Sequence, residues 1–170
     1  MTQTQSERSR SFSWTDPAEH AGLIGTRSGL ELLRAMSTGE LPAPPVMHLI
    51  DMAGLEVEEG SVTVHLDPQE FHYNPLGTVH GGVLSTLLDT AAACSVHSTL
   101  PAGVGYTSLD LTVKFLRPVT VASGRLTTRG TVLQRGRRTA FAEARMTDAA
   151  RRLVAHATTT CMIFEAPAAG

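Results

Sequence analysis

Cysteine is scarce. Only Cys94 and Cys161 occur in a chain of 170 residues, both inside apolar stretches. Neither belongs to a CxxC pair or a Cys/His cluster, which excludes a disulfide framework and gives no zinc-ligand spacing. Buried free thiols suit a reducing compartment, so a cytoplasmic protein is expected. Long apolar runs are missing too. The first 20 residues, MTQTQSERSRSFSWTDPAEH, lack the apolar centre of a secretory signal, and no run approaches the roughly 20 residues that span a bilayer. Net charge is only −2, so no overall basic field attracts a polyanion. Neither membrane nor nucleic acid is therefore an expected partner. Histidines 20, 48, 65, 72, 97 and 156 share no metal-binding spacing, and no metal is expected.

The charges that are present are unevenly placed. Residues 1–110 hold 4 Lys/Arg against 13 Asp/Glu, whereas residues 111–153 hold 10 against 2. Such asymmetry can serve an anionic ligand, although the default for any single Arg is the solvent side of a strand. The length suits one domain with a real core. We read residues 1–40 as an N-terminal extension with a short helix, and 41–166 as the single main domain.

Along the chain, residues 1–20 are polar and expected to be mobile. SGLELLRAMSTG (28–39) places Leu30 and Leu33, with Leu32 and Met36 near them, on one side of a short amphipathic helix that ends at Gly39. LPAPP (41–45) breaks it. Residues 52–68 read as two strands joined at Glu59-Gly60. From about 79 to 98 no breaker occurs, and the stretch is apolar nearly all round, so it predicts a helix buried nearly all round. GYTSLDLTVKFLRPV then alternates as one long strand. Three more follow, with turns at Ser123-Gly124, Gly136-Arg137 and Asp148-Ala149, which implies an antiparallel meander. Ala140, Ala142, Ala144 and Met146 form one face, small enough to lie against a helix. Two strands, one buried helix and four strands make an α+β fold: a curved antiparallel sheet wrapped around one central helix.

NPLGTVHGGVLSTLLD (74–89) combines a turn, His80, two glycines and a buried helix that keeps one carboxylate, Asp89. Asn74, His80-Gly81-Gly82, Asp89 and the SLDLTVKFLRP strand together resemble the hotdog-fold acyl-CoA thioesterases, specifically the PaaI-like (phenylacetate-degradation) branch. GRRTAFAEARMTDAARRLVAHATTT is similar to that branch as well. The resemblance covers roughly residues 45–165 and does not extend to the N-terminal segment. It implies an acyl-CoA or aryl-CoA substrate, no cofactor beyond the coenzyme A of that substrate, and a homo-oligomer: a dimer at minimum, with a tetramer expected.

Thioester hydrolysis needs an oxyanion site, a water and a base or nucleophile. N–H groups in a helix's first turn lack intrahelical partners and carry the positive end of the dipole. Gly81 and Gly82 would let a thioester carbonyl approach them; the competing reading is close helix–sheet packing. Asp89 has no Arg or Lys at i±3 or i±4, where Ser85, Thr86, Ala92 and Ala93 stand. A charge in that setting is costly unless paired or used. It reads as general base or as nucleophile, against a structural Asp bonded to a strand. Eight residues of helix separate Gly81 from Asp89 by about 12 Å. A short side chain cannot bridge that, so both act on one carbonyl only if they come from different chains. The resemblance implies the same composite site.

The resemblance also implies that Asn74 helps hold the thioester or the attacking water, where an Asn-Pro turn residue is the alternative. His80 reads as a loop-orienting residue rather than a base. Ser108 and Thr107 match a strand position that in some relatives bonds the water or the carboxylate. Arg117, Arg137 and Arg138 are candidate contacts for the phosphates of coenzyme A. Two other functions stay open: a hotdog hydratase or dehydratase, which would need His80 as its catalytic histidine, and a non-catalytic acyl-CoA-binding protein.

Overall fold

The structure is a computed structural model that describes residues 7–18 and 22–165. Helix α1, Gly29–Thr38, opens with Ser28 as N-cap in a reciprocal capping box with Glu31, and stops at Gly39 in a left-handed conformation, φ 78°. Leu32, Leu33 and Ala35 form its buried side; Leu30, expected among them, is only half-buried. LPAPP does end α1, but a second short helix, α2 (Pro45–Leu49), begins at its last proline, where a fixed φ and a missing N–H cost nothing. Of the polar first 20 residues, 1–6 and 19–20 lie outside the described residues. Residues 7–18 run over the surface, where Arg10 donates to the carbonyls of Leu49 at 2.6 Å and His48 at 2.7 Å and lies over the Phe71 ring.

Strands β1 (Met52–Glu58) and β2 (Ser61–Leu66) form the expected hairpin through Gly60, φ 77°. Helix α3 spans Gly81–His97, and strands β3 (Val104–Ser108) and β4 (Thr112–Phe115) follow it. Strands β5 (Leu126–Arg135), β6 (Thr139–Thr147) and β7 (Leu153–Glu165) complete the chain. One antiparallel sheet runs β1-β2-β5-β6-β7-β3, and β4 pairs with the other end of the long β7. This is the curled sheet around a long helix that the sequence predicts.

The strand after α3 differs as well. The single strand predicted over 105–119 is two strands, interrupted at Leu109–Leu111. Asp110 causes the break: its carbonyl accepts from Thr159 Oγ1 at 2.6 Å, and its Oδ1 accepts from the Thr160 N–H at 3.1 Å. The side chain thus replaces a ladder partner, a competition typical of Asp.

The core lies between α3 and the concave face of the sheet. Leu87, Leu88, Ala91, Ala92 and Val96 of the helix are fully buried, against Val62, Val64, Ala142, Ala144 and Met146 of the sheet. Each large side chain so buried contributes about 1.5–3 kcal/mol. Gly130 of β5 permits the closest approach, because a Cβ there would stand 2.0 Å from the Ala91 carbonyl oxygen. The helix is not buried all round, however. Gly82, Ser85, Thr86, Asp89 and Thr90 are exposed or half-exposed and form a stripe that the sheet does not cover. Among the described residues no helix is long and apolar enough to cross a membrane.

Candidate active site

The mouth of α3 is built by a tight turn. Asn74 Oδ1 accepts from the N–H groups of Leu76 at 2.9 Å and Thr78 at 3.3 Å, while its Nδ2 donates to Thr78 Oγ1 at 3.0 Å. The Asn74 side chain therefore holds the turn itself, as an Asx turn does. Thr78, which sequence reading passed over, is its partner at i+4. The turn is tied to the sheet's exit by the Val79 N–H, which donates to the Val119 carbonyl at 2.8 Å, and to the preceding helical turn by the His80 N–H, which donates to the His72 carbonyl at 2.8 Å.

His80 is the N-cap of α3. Its Nδ1 accepts from the Gly82 N–H at 2.8 Å, and its carbonyl accepts from Val83 and Leu84. This corrects the expectation that both glycines offer donors. The Gly82 N–H is already engaged, whereas the Gly81 N–H has no hydrogen-bond partner among the described residues. Gly81 also faces Phe115: a Cβ there would lie 3.1 Å from the ring's Cζ. A cavity of about 330 Å³ opens at this point, lined by Asn74, Thr78, Gly81, Leu84, Phe115 and Arg117 among others. Phe115 was legible only as one of an alternating apolar row. Its place over the glycine follows from the way β4 crosses the helix entry.

Asp89 lies in the middle of α3, half-buried, on the stripe the sheet leaves uncovered. Ser108 at the end of β3 donates to its Oδ1 at 2.9 Å. No other hydrogen bond to Asp89 forms among the described residues, so Oδ2 is unengaged. Behind Ser108 stands Cys161, its register partner on β7, with its thiol pushed up by burial. Thr107, the neighbouring candidate, is exposed, because alternation along β3 turns it to the other side of the sheet.

The arginines are separated. Arg117 lines the cavity at the helix mouth and donates to the Leu153 carbonyl at 2.6 Å. Arg137 and Arg138 are exposed in the β5–β6 turn. That turn lies at the far end of α3, where Arg135 Nη1 donates to the Thr99 carbonyl at 2.7 Å. A 17-residue helix, about 25 Å long, stands between the two groups. Within one chain, then, Gly81, Asn74 and Arg117 gather at the helix mouth, Asp89 and Ser108 meet at mid-helix, and Arg137 and Arg138 sit beyond its end.

Comparison with known proteins agrees with this architecture. The thioesterase superfamily model matches residues 76–155, which contain both Gly81 and Asp89. A phenylacetic acid degradation-related protein from Ralstonia eutropha JMP134 is 32% identical and superposes with a TM-score of 0.69, over 76% of this chain and 98% of that one. The E. coli PaaI protein from the phenylacetic acid degradation operon shares the fold, with a TM-score of 0.70 at 20% identity over 82% of this chain and 98% of that one. Acyl-coenzyme A thioesterase 13 from Homo sapiens is 29% identical over 91 residues, 54% of this chain and 64% of that protein. The chain covers less than two thirds of the length of the curated relatives it matches, 64% at most. With its curled sheet and its central helix, the chain belongs to the hotdog-fold thioesterase superfamily, in the PaaI-like branch.

Proposed function

We propose that this protein hydrolyses the thioester of an acyl-coenzyme A to the free acid and coenzyme A. The observation that carries the reading is the pair of groups left unengaged along α3: a glycine N–H at its positive end and a carboxylate oxygen at its middle. The Gly81 N–H binds the carbonyl oxygen and stabilises the negative charge that develops there. Asp89 Oδ2 takes a proton from water as its oxygen attacks the carbonyl carbon. The C–S bond then breaks, the acid leaves, and the proton goes to the departing thiolate. Ser108 holds the other carboxylate oxygen and fixes the direction of attack.

About 12 Å of helix rise separates Gly81 from Asp89, so the working site joins Gly81 of one protomer with Asp89 of a second. Two copies of α3, antiparallel across a two-fold axis, bring the pair together along the uncovered stripe of Gly82, Thr86 and Asp89. The same operation carries Arg137 and Arg138 of one chain toward the mouth of the other, beside Arg117, where the phosphates of coenzyme A would lie. A catalytic histidine, as a hydratase would require, fits less well, because His80 Nδ1 already accepts the Gly82 N–H.

The test is free-thiol release from aryl-, short- and long-chain acyl-CoAs, wild type beside Asp89→Asn. Turnover that Asp89→Asn removes, with the fold intact, supports the reading. Binding of acyl-CoA without turnover across the panel would replace it with a non-catalytic acyl-CoA-binding protein. Equal activity in both proteins would remove Asp89 from the chemistry.

A further inference from the structure

A second cavity, of about 230 Å³, lies under the N-terminal segment, away from the helix mouth. Leu32 and Met36 of α1 and Met47 of α2 form its walls; Cys94 and His97 of α3 and Tyr106 of β3 form its floor. The matched family region, 76–155, supplies the floor but not the walls. The cavity is apolar except for the three groups of its floor, which are held close together. Tyr106 stacks on His97 with ring centroids 4.9 Å apart, and its hydroxyl lies 4.0 Å from Cys94 Sγ. His97 is only 9% exposed, yet its ring has no hydrogen-bond partner among the described residues. Burial pushes the Cys94 thiol up to about 11 and keeps the His97 ring neutral, so the floor carries no charge at neutral pH.

Two elements run from this cavity to the carboxylate. Tyr106 and Ser108 are two residues apart on β3, so their side chains share a face about 7 Å apart. Ser108 is the residue that holds Asp89. On the helix, Cys94 follows Asp89 by five residues, about 7.5 Å along the axis. Size limits the occupant. A dry apolar cavity of about 150 Å³ already holds a benzene ring. Pockets for drug-sized ligands begin near 300 Å³. A space between those values takes a compact apolar group and excludes a long chain.

We propose that this cavity receives the apolar end of the acyl group, and that Met36 and Met47, which both precede the matched region 76–155, set its length limit. The assignment rests on the thioester-hydrolase reading above. It gives α1 and α2 a role as the specificity wall of the site.

The test compares kcat/KM for acetyl-, hexanoyl-, decanoyl- and palmitoyl-CoA in wild type, Met36→Trp and the double variant Met36→Ala/Met47→Ala. Affinity for S-hexyl-coenzyme A, a thioether that cannot be hydrolysed, is measured alongside. Wild type should prefer hexanoyl- to both acetyl- and palmitoyl-CoA. Met36→Trp should lower the hexanoyl-to-acetyl ratio by about tenfold or more, the size of effect a lost or blocked methylene contact produces. The double variant should move the optimum toward decanoyl-CoA, and it keeps the test valid if the Trp variant fails to fold. Wild-type ratios in both variants would overturn the assignment. If wild type hydrolyses nothing but Met36→Trp still weakens thioether binding about tenfold, the hydrolase reading fails and the cavity stands as a binding site. If nothing is hydrolysed and neither variant changes thioether binding, both readings fail.

Discussion

Ser108 Oγ donates to Asp89 Oδ1 at 2.9 Å, joining the end of β3 to the middle of α3 at the one carboxylate the central helix carries. A hydrogen bond to a charged acceptor contributes about 1.5–3 kcal/mol. Ser108→Ala should therefore lower kcat by about 10- to 100-fold, with KM changed far less. Ser108→Thr, which keeps the hydroxyl, should recover most of the rate. Steady-state kinetics on the three proteins check this. Equal rates for Ser108→Ala and wild type would reduce the bond to packing.

His80 caps the helix through its Nδ1, which accepts the Gly82 N–H at 2.8 Å. A side-chain cap contributes about 1 kcal/mol. His80→Ala should lose about that much stability in chemical denaturation and slow turnover only modestly. His80→Asn, a good capping residue, should restore the stability. Complete inactivation of both variants with stability intact would make His80 the catalytic base and favour the hydratase reading.

His97 gives the fold a pH dependence with a defined sign. Burial lowers its pKa from 6.5 to about 4. Between those values the unfolded chain binds the extra proton, so the stability His97 allows above about pH 6.5 is lost as pH falls through about 4. The loss reaches up to about 3 kcal/mol. Urea midpoints at several pH values between about 7.5 and 4 should fall for wild type, and fall less steeply for His97→Phe. Parallel curves would show that other groups carry the acid sensitivity.

Gly29 fixes the N-terminal segment to the core. Its N–H donates to the Leu100 carbonyl at 3.0 Å, and a Cβ there would stand 1.9 Å from the His97 carbonyl oxygen. Gly29→Ala must push α1 away from the end of α3, at a cost of about 1–3 kcal/mol. Gly25→Ala, where an added Cβ meets no non-neighbouring atom of the described residues within 4 Å, should be neutral. Thermal melts of the two variants compare them directly.

The sequence shows the fold more fully than it shows the site. Alternation over Val62, Val64 and Leu66 and over Ala140, Ala142 and Ala144 reflects one buried face of a sheet, so strand positions and the central helix were legible. The break between β3 and β4 was not. It depends on Asp110 meeting Thr159 and Thr160, residues about 50 positions away that no local pattern reveals. Asp89 stood out because a lone carboxylate in an apolar helix is costly, and Ser108 because of the strand position it matches. Which glycine offers a free N–H could not be read, since it turns on the orientation of one His80 nitrogen. Nor could the distance between Arg117 and Arg137: residues grouped by charge in the chain are split by the length of α3.

The central claim is that one site draws on two protomers, and complementation tests it most directly. Gly81→Val and Asp89→Asn should each abolish thioester hydrolysis. Mixed in equal amounts, unfolded together and refolded, they should form dimers of which about half are mixed, each with one intact site. The predicted result is recovery of about a quarter of wild-type activity. No recovery, with mixed dimers present by native mass spectrometry, would contradict the account and place Gly81 and Asp89 in separate sites.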